Sequence, residues 1–437
     1  MLNLLTGLIH NPGEVVGVIA FILIPVLNRC HQRRKKSILL QKKKLRKPRL
    51  GNVDPLQGRH KWLGGALNHD ESSIYAIPAH AKHVLKITPF TKKDGERIEV
   101  IGSNPLNGHY KYLRAILGQD DMIYGVPCFA KQAIRINPFT SEVSQFGTKL
   151  PAGEWMWHGG AISRCGIIYG VPCNAEAVLK IVPSTEEVSL IGKLPKGRNK
   201  WYGALLGRDG CIYGMAYKAK GVLRINPRTD DVRVIGDFHD SFKWHGGTVG
   251  VDGCIYAFPS HADTVLRITP PAICPEHDSE HGVTLQELHL SPSCDATTMK
   301  GTYKWGGGAT DRDGNIFGIP SDAQSVLRLN PRTGEVITFG HLSDEHNKWQ
   351  GGVLGEDGNI YCVPCDADYI LVINPYTLAL TEIGRGVFPP GRDKFQGGFT
   401  CGKDGNIYCI PETCTVILKI IIKTQQVVAI TTCKTAE

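Results

Sequence analysis

The 437 residues contain no Gly-x-Ser-x-Gly turn, no phosphate-binding loop, no dinucleotide fingerprint and no His-Glu-x-x-His. The short motifs that announce acyl transfer, nucleotide chemistry or zinc proteolysis are therefore missing. No Asn-x-Ser/Thr sequon occurs and no two cysteines are adjacent. The 14 cysteines recur in some copies of the repeat described below and not in others, which does not resemble a pairing scheme. They read as reduced, small, buried residues, consistent with a cytosolic setting. A basic excess is also lacking over most of the chain. The net charge is +9, but residues 1–50 hold 11 Lys/Arg against the single acid Glu14, so the remainder sums to −1. That remainder carries no electrostatic footprint for nucleic acid, and no nucleic-acid partner is expected.

The first fifty residues differ from the rest. Residues 15–27 read VVGVIAFILIPVL, and no charge lies between Glu14 and Arg29. Thirteen residues are short of the roughly 20 a spanning helix needs, and extension back to Leu8 takes in His10, Pro12 and Glu14. A basic run over 29–49 follows, opened by Arg29 and closed by Arg49. Together they predict an N-terminal apolar helix as a membrane anchor. By the positive-inside rule the basic side faces the cytosol, where the run meets anionic lipid headgroups. The start lacks the basic n-region and small-residue cleavage site of a signal peptide. A signal peptide, a nuclear address in KKKLRKPR, a disordered linker or a soluble protein with a targeting segment remain the alternatives.

Fifty glycines and 26 prolines imply many turns and short strands. Their arrangement is periodic. An aromatic recurs at Trp62, Tyr112, Trp157, Trp201, Trp244, Trp305, Trp349 and Phe395, at spacings of 50, 45, 44, 43, 61, 44 and 46. Each copy runs Lys-Trp-x-Gly-Gly, then Asp-Gly, then Ile-Tyr-x-x-Pro, then Val-Leu-Arg-Ile-Asn-Pro, then Glu-Val-x-x-Ile-Gly, with variations. Asp-Gly and Asn-Pro-x-Thr-Gly are turn formers, and the runs between them have the period of strands. Each copy thus predicts four strands, A to D. Eight copies predict an all-β fold over 51–437, a β-propeller of eight four-stranded blades. Seven blades is the alternative, because the second copy has Arg114-Ala115 for Gly-Gly and Asp120-Asp121 for Asp-Gly. The Trp and Gly-Gly of strand A are expected to fill the crowded interface between blades.

The stretch 357–382, with its DGxIY, apolar strand and NPxT, resembles the repeat of quinoprotein and YncE-type propellers. The tandem Lys-Trp-x-Gly-Gly units also look like those of uncharacterised repeat proteins of protists and algae. The resemblance implies a ring of blades with a site on one face of a central funnel. It does not carry quinoprotein chemistry, since the adjacent cysteines of those dehydrogenases are missing. Nor does strand A offer the inward carboxylates with which gluconolactonase-like propellers hold a metal.

In a four-stranded meander the D-to-A and B-to-C loops share one face. That face should carry Lys61, Lys111, Lys200, Lys243, Lys304, Lys348 and Lys394, with Met156 in the third copy. Beside them should stand the B–C residues His80, Asn174, His261, Asp322 and Asp366. The x of Trp-x-Gly-Gly varies: Leu63, Leu113, His158, Tyr202, His245, Gly306, Gln350 and Gln396. Variation within uniform copies is what an asymmetric ligand needs and also what drift leaves. The candidate ligand set is Lys200, Lys243, Lys304, Lys348, His158, His245, His80, His261, Asp322 and Asp366. Solvated lysines and local Asx turns are the structural alternative. The long spacing of 61 places an insertion at about 271–302 with Cys274, His277, His281, His289 and Cys294. These are ligand types zinc accepts, in no standard spacing. A surface loop is expected, with no metal and no cofactor. The sequence thus predicts a membrane-tethered, cytosol-facing binding or interaction module for a protein or a small acidic ligand. The alternative is a funnel-site enzyme, a quinoprotein-like oxidoreductase or a lyase.

Overall fold

The computed structural model describes residues 54–91, 95–240, 242–272 and 282–431. The expected anchor and basic run, with Cys274, His277 and His281 of the insertion, lie outside the described residues. Among the described residues no helix is long and apolar enough to cross a membrane.

The described chain is all-β apart from one short 3₁₀ turn, Ala296–Met299. Thirty-two strands form eight antiparallel four-stranded sheets, each a meander contiguous in sequence. The blades span 62–101, 112–146, 157–191, 201–235, 244–288, 305–339, 349–383 and 395–430. Strand A of each blade lies against strand A of the next, and that of blade 8 against that of blade 1, so the ring closes. Eight copies make eight blades, including the second copy that had suggested seven.

The repeat motifs explain the blade. In every blade the pairing of strands A and B slips by one residue after the aromatic: Trp62 faces Pro78, but Gly65 faces Ala76. That slip is a bulge, and it requires a left-handed residue. The first glycine of Gly-Gly supplies it, with φ of 69° to 90° in seven blades. The second glycine meets strand B edge-on, where a Cβ on Gly65 would lie 2.5 Å from the Tyr75 carbonyl oxygen. Strand B, Ile-Tyr-x-x-Pro or its variants, is buried along its whole length in all eight blades. Its Tyr hydroxyl donates to the Asp of the A–B turn at 2.7–2.9 Å in blades 2, 4, 5, 7 and 8. In blade 2 Asp121 takes the left-handed turn position at φ 65°.

The six tryptophans that begin strand A are 0–1 % exposed, and they pack as expected between blades. Trp157 sits among Tyr124, Val126 and Ala133 of blade 2 and Ile168 and Leu179 of its own blade. Each indole N–H donates to a backbone carbonyl just before strand C, at 2.8–3.1 Å. Eleven cysteines are described, none of them in a disulfide, and most are buried.

Candidate functional site

Two backbone bonds repeated in all eight blades build the face that carries the D–A and B–C loops. The amide of the lysine position (Met156 in blade 3) donates to a B–C carbonyl of the preceding blade at 2.9–3.2 Å. The carbonyl one residue earlier accepts from a B–C amide of its own blade at 2.9–3.1 Å. That earlier residue is His60, Tyr110, Trp155, Asn199, Phe242, Tyr303, Asn347 or Asp393. All eight hold a left-handed φ of 43° to 58° without being glycine. Bulky residues such as Trp155, Phe242 and Tyr303 are rarely held so, and such strain concentrates at functional sites.

The lysines differ from expectation. Lys61, Lys111, Lys200, Lys243, Lys304, Lys348 and Lys394 are only 0–5 % exposed. Their stems run between blades and their ammonium groups donate to loop carbonyls. Lys200 Nζ donates to Ala175 O at 2.7 Å and Gly197 O at 3.2 Å, and Lys61 Nζ to Gly58, Glu412 and Cys414 carbonyls at 2.9–3.0 Å. Lys243 donates to Asp240 O at 2.5 Å, Lys304 to Gly301 O at 3.0 Å and Lys348 to Glu345 O at 2.6 Å. Burial pushes Lys61, Lys111 and Lys304 down to about 8. These ammonium groups clamp loops and blades together and are shielded from solvent.

The two B–C carboxylates are also engaged. Asp322 accepts from the Asn347 amide at 2.7 Å and from His346 Nδ1 at 2.8 Å. Asp366 accepts from the Asp393 amide at 2.8 Å and from Asn347 Nδ2 at 3.1 Å. Each braces the left-handed residue of the next blade. Among the described residues Cys365, Asp366 and Asp393 form a group close enough to share a cation. Asn347 Nδ2 fills that space, at 3.2 Å from Cys365 Sγ and 3.3 Å from Asp393 Oδ1. Burial and the neighbouring carboxylates push the Cys365 thiol up, so it stays protonated. His289 and Cys294 of the insertion join no such group among the described residues.

The histidines do meet, within an aromatic arc. His80 lies 4.3 Å from Tyr110, 4.6 Å from His109 and 5.3 Å from His60, ring centre to ring centre. Tyr110 continues to Trp155 at 5.0 Å, and Trp155 to His158 at 6.4 Å. His158 lies 4.0 Å from Tyr202, which stacks on Tyr217 at 4.3 Å and reaches His245 at 5.1 Å. Tyr217 continues to Phe242, and His261 stands between Phe242 at 5.0 Å and Tyr303 at 4.6 Å. His158 and His245 come from blades 3 and 5 yet are 6.1 Å apart, so they stand where the blades converge on the central channel. Burial, then nearby cationic groups, lowers His80 and His245 to about 4 and holds His158 well below its ordinary value, leaving neutral rings at pH 7. The side-chain nitrogens His80 Nε2, His158 Nδ1 and His261 Nε2 are shielded from solvent and have no hydrogen-bond partner. A cleft of about 510 Å³ opens beside the arc, lined by Lys243, His261, Asp237 and Glu287 among others.

The opposite arc is polar. Glu412 is 6 % exposed and receives His60 Nδ1 at 2.7 Å. Burial raises its carboxyl to about 7, against the pull of His60. The mouth residues Tyr110, Trp155, Phe242 and Tyr303, together with Tyr217 and Glu412, were not singled out from the sequence. The available signal was the column just before the lysine, which changes chemistry from copy to copy.

No protein-family model matches the chain, and no curated protein matches its sequence. Solved structures do resemble it. The virginiamycin B lyase of Staphylococcus aureus aligns at 15 % identity over 68 % of this chain and 91 % of its own, with a TM-score of 0.51. A streptogramin B lyase aligns at 13 % over 72 % and 92 %, TM-score 0.51. A catalytically inactive variant of the S. aureus enzyme with quinupristin aligns at 13 % over 75 % and 96 %, TM-score 0.51. Similarity at this identity shows the fold alone, and with the eight closed sheets it makes the chain a β-propeller.

Proposed function

We propose that the propeller is a binding module whose site is the mouth of the central channel on the face of the D–A and B–C loops. The ligand it suits carries a flat ring. The observation that supports this is the arc from Tyr110 to Tyr303, a run of aromatic and neutral imidazole rings with neighbours 4.0–6.4 Å apart. Ring faces at such spacings accept a further ring by offset or edge-on stacking, worth about 0.5–1.5 kcal/mol per pair beyond area burial. The test is a titration of the full chain with phenol and indole, read by thermal unfolding and by quenching of Trp155, with Trp155→Phe as the optical blank. A ring probe should raise the midpoint and quench Trp155, and both effects should fall in Tyr202→Ala. Equal response in wild type and Tyr202→Ala sinks the reading.

One observation favours the enzyme alternative. A carboxyl held at about 7 beside an imidazole, as in Glu412 and His60, can take or give a proton near neutral pH. Turnover of a ring ligand that disappears in Glu412→Gln while binding persists would favour a funnel-site enzyme, with a lyase the better match to the fold neighbours.

Tethering is a separate part of the proposal. It rests on the apolar segment 15–27 and the basic run that follows it. Full-length protein should resist carbonate extraction from membranes, and deletion of residues 1–50 should release it; extraction of the intact chain would exclude an anchor.

A further inference from the structure

The second blade departs from the motif at one position that faces the site. Where seven blades carry a glycine after Trp-x, blade 2 carries Arg114. Its φ is 65°, matching the 69° to 90° of its glycine counterparts. The bulge therefore forces an arginine into a backbone state that glycine adopts freely and arginine does not. Nothing in the sheet requires that side chain, since seven blades form the same bulge without one.

Its location is the channel. The bulge residues of adjacent blades lie close together: a Cβ on Gly64 would be 3.6 Å from Arg114 Cα, and one on Gly159 would be 3.7 Å from Arg114 Cδ. At this level of the ring every other blade presents a hydrogen. Arg114 is exposed to water within the channel, and the protein packed around it pulls its pKa down. A guanidinium nevertheless stays charged at neutral pH.

Most arginines of this propeller that pair do so plainly: Arg97 with Glu99, Arg135 with Glu186, Arg267 with Asp252, Arg385 with Glu382. Arg114 has no carboxylate, carbonyl or hydroxyl partner among the described residues. Its charge acts on His158 and His245, both neutral. Beside it His158 Nδ1 is shielded from water and unpartnered. A cation with five donors and no acceptor thus stands in the channel, next to the rings of the mouth.

We propose that Arg114 is the anion anchor of this site, so that the ligand is a ring-bearing carboxylate or phosphate. Its anionic oxygens seat on the guanidinium, whose planar fork takes two at once. Its ring lies against His158, Tyr202 and Tyr217. This rests on the reading of the mouth as a ring site, and the test separates the two.

The full chain, Arg114→Gly and Arg114→Lys are unfolded thermally in phenol, inorganic phosphate, benzoate and phenyl phosphate, with sodium chloride at matched ionic strength as the blank. Arg114→Gly restores the residue of the other seven blades, so its midpoint in chloride should equal or exceed that of wild type. Benzoate or phenyl phosphate should raise the wild-type midpoint by roughly 2 °C or more at saturating concentration. In Arg114→Gly that shift should fall to the one that phenol gives, and in Arg114→Lys it should survive in part. The larger of the benzoate and phenyl phosphate shifts identifies the anionic group. Equal shifts in wild type and Arg114→Gly, or no anion shift in wild type, overturn the anchor. Phenol binding that persists without any anion effect overturns the anchor and leaves the ring site standing. A phosphate shift that depends on Arg114, with no response to phenol, keeps the anchor and removes the ring site.

Discussion

Lys200, Trp201 and Tyr202 are consecutive, yet they belong to two different regions. The lysine and the tryptophan lie in the interface between blades 3 and 4: Lys200 donates to Ala175 O, and Trp201 packs among Tyr169, Val171 and Leu223. One residue later Tyr202 stands in the channel mouth against His158 and Tyr217. The interface repeats nearly the same chemistry, with Met156, Tyr112 and Phe395 its departures, because every blade must be attached to the next by the same backbone bonds and the same apolar gap. The mouth changes from blade to blade, because the backbone bonds that join the blades leave most of its side chains free to vary. Repetition in this chain marks structure, and departures from repetition mark the places free to recognise something.

The sharpest way to break that division is to truncate the interface. Trp201→Ala removes a side chain 1 % exposed, with its indole N–H bonded to Gly221 O at 2.8 Å. A loss of about 3–5 kcal/mol in chemical denaturation is expected, as for large-to-small core changes. Lys200→Met keeps the stem and deletes the charge. It leaves the Ala175 and Gly197 carbonyls without their donor in a site 5 % exposed, at a cost of about 2–3 kcal/mol. A loss below about 0.5 kcal/mol from Lys200→Met would mean that the lysines are spectators of the packing, and would return them to the candidate ligand set.

The boundary between the two regions has a titratable group. Glu412 supplies the backbone carbonyl that receives Lys61 N and Nζ, while its carboxyl faces His60 at the mouth. Its carboxyl is raised to about 7, chiefly by burial, from an ordinary 4.5. Between these two values the folded state holds a proton that the unfolded state has released. Stability contributed here is therefore complete below about pH 4.5 and declines as pH rises to 7, by roughly 3 kcal/mol. Other groups titrate too, so the measured quantity is the stability of wild type minus that of Glu412→Gln at pH 4 and pH 7.5. That difference should fall with rising pH; a difference that is flat or rises would show that His60 keeps the carboxylate ionised throughout.

Most of the fold was legible because its signals are local. The aromatic column, Asp-Gly, Ile-Tyr-x-x-Pro and Asn-Pro-x-Thr-Gly each specify a strand or a turn from neighbouring residues, and eight copies average out the exceptions. Blade 2 shows how: Asp120 accepts from Met122 N at 3.2 Å and from the Tyr124 hydroxyl at 2.7 Å, so the turn survives the loss of its glycine. The site was legible only in part. His158 and His245 stood out because they vary at a fixed motif position. The fate of the lysines did not, since their acceptors are carbonyls of another loop or blade that come within reach only when the ring closes. Nor did the strain at Tyr110, Trp155 and Tyr303, because a left-handed φ leaves no trace in hydropathy. Arg114 was visible as a break in Gly-Gly, but its meaning depends on seven glycines pressed around one channel.

Tyr202→Ala is the smallest effect on stability and the most direct probe of the division. Tyr202 is half-buried, and its hydroxyl donates to Asn199 Oδ1 at 3.2 Å. Its ring touches His158, Tyr217 and His245, none of which fills a gap between blades. Truncation removes those ring contacts and exposes no unpaired buried donor, so about 1 kcal/mol or less should be lost. The same change should abolish most of the response to ring probes. If Tyr202→Ala instead cost as much as Trp201→Ala, the mouth would be a second packing layer, and the arc would hold the blades together in place of a ligand. The two residues are adjacent on one strand, one buried between blades and one at the mouth, so the pair separates the two regions directly.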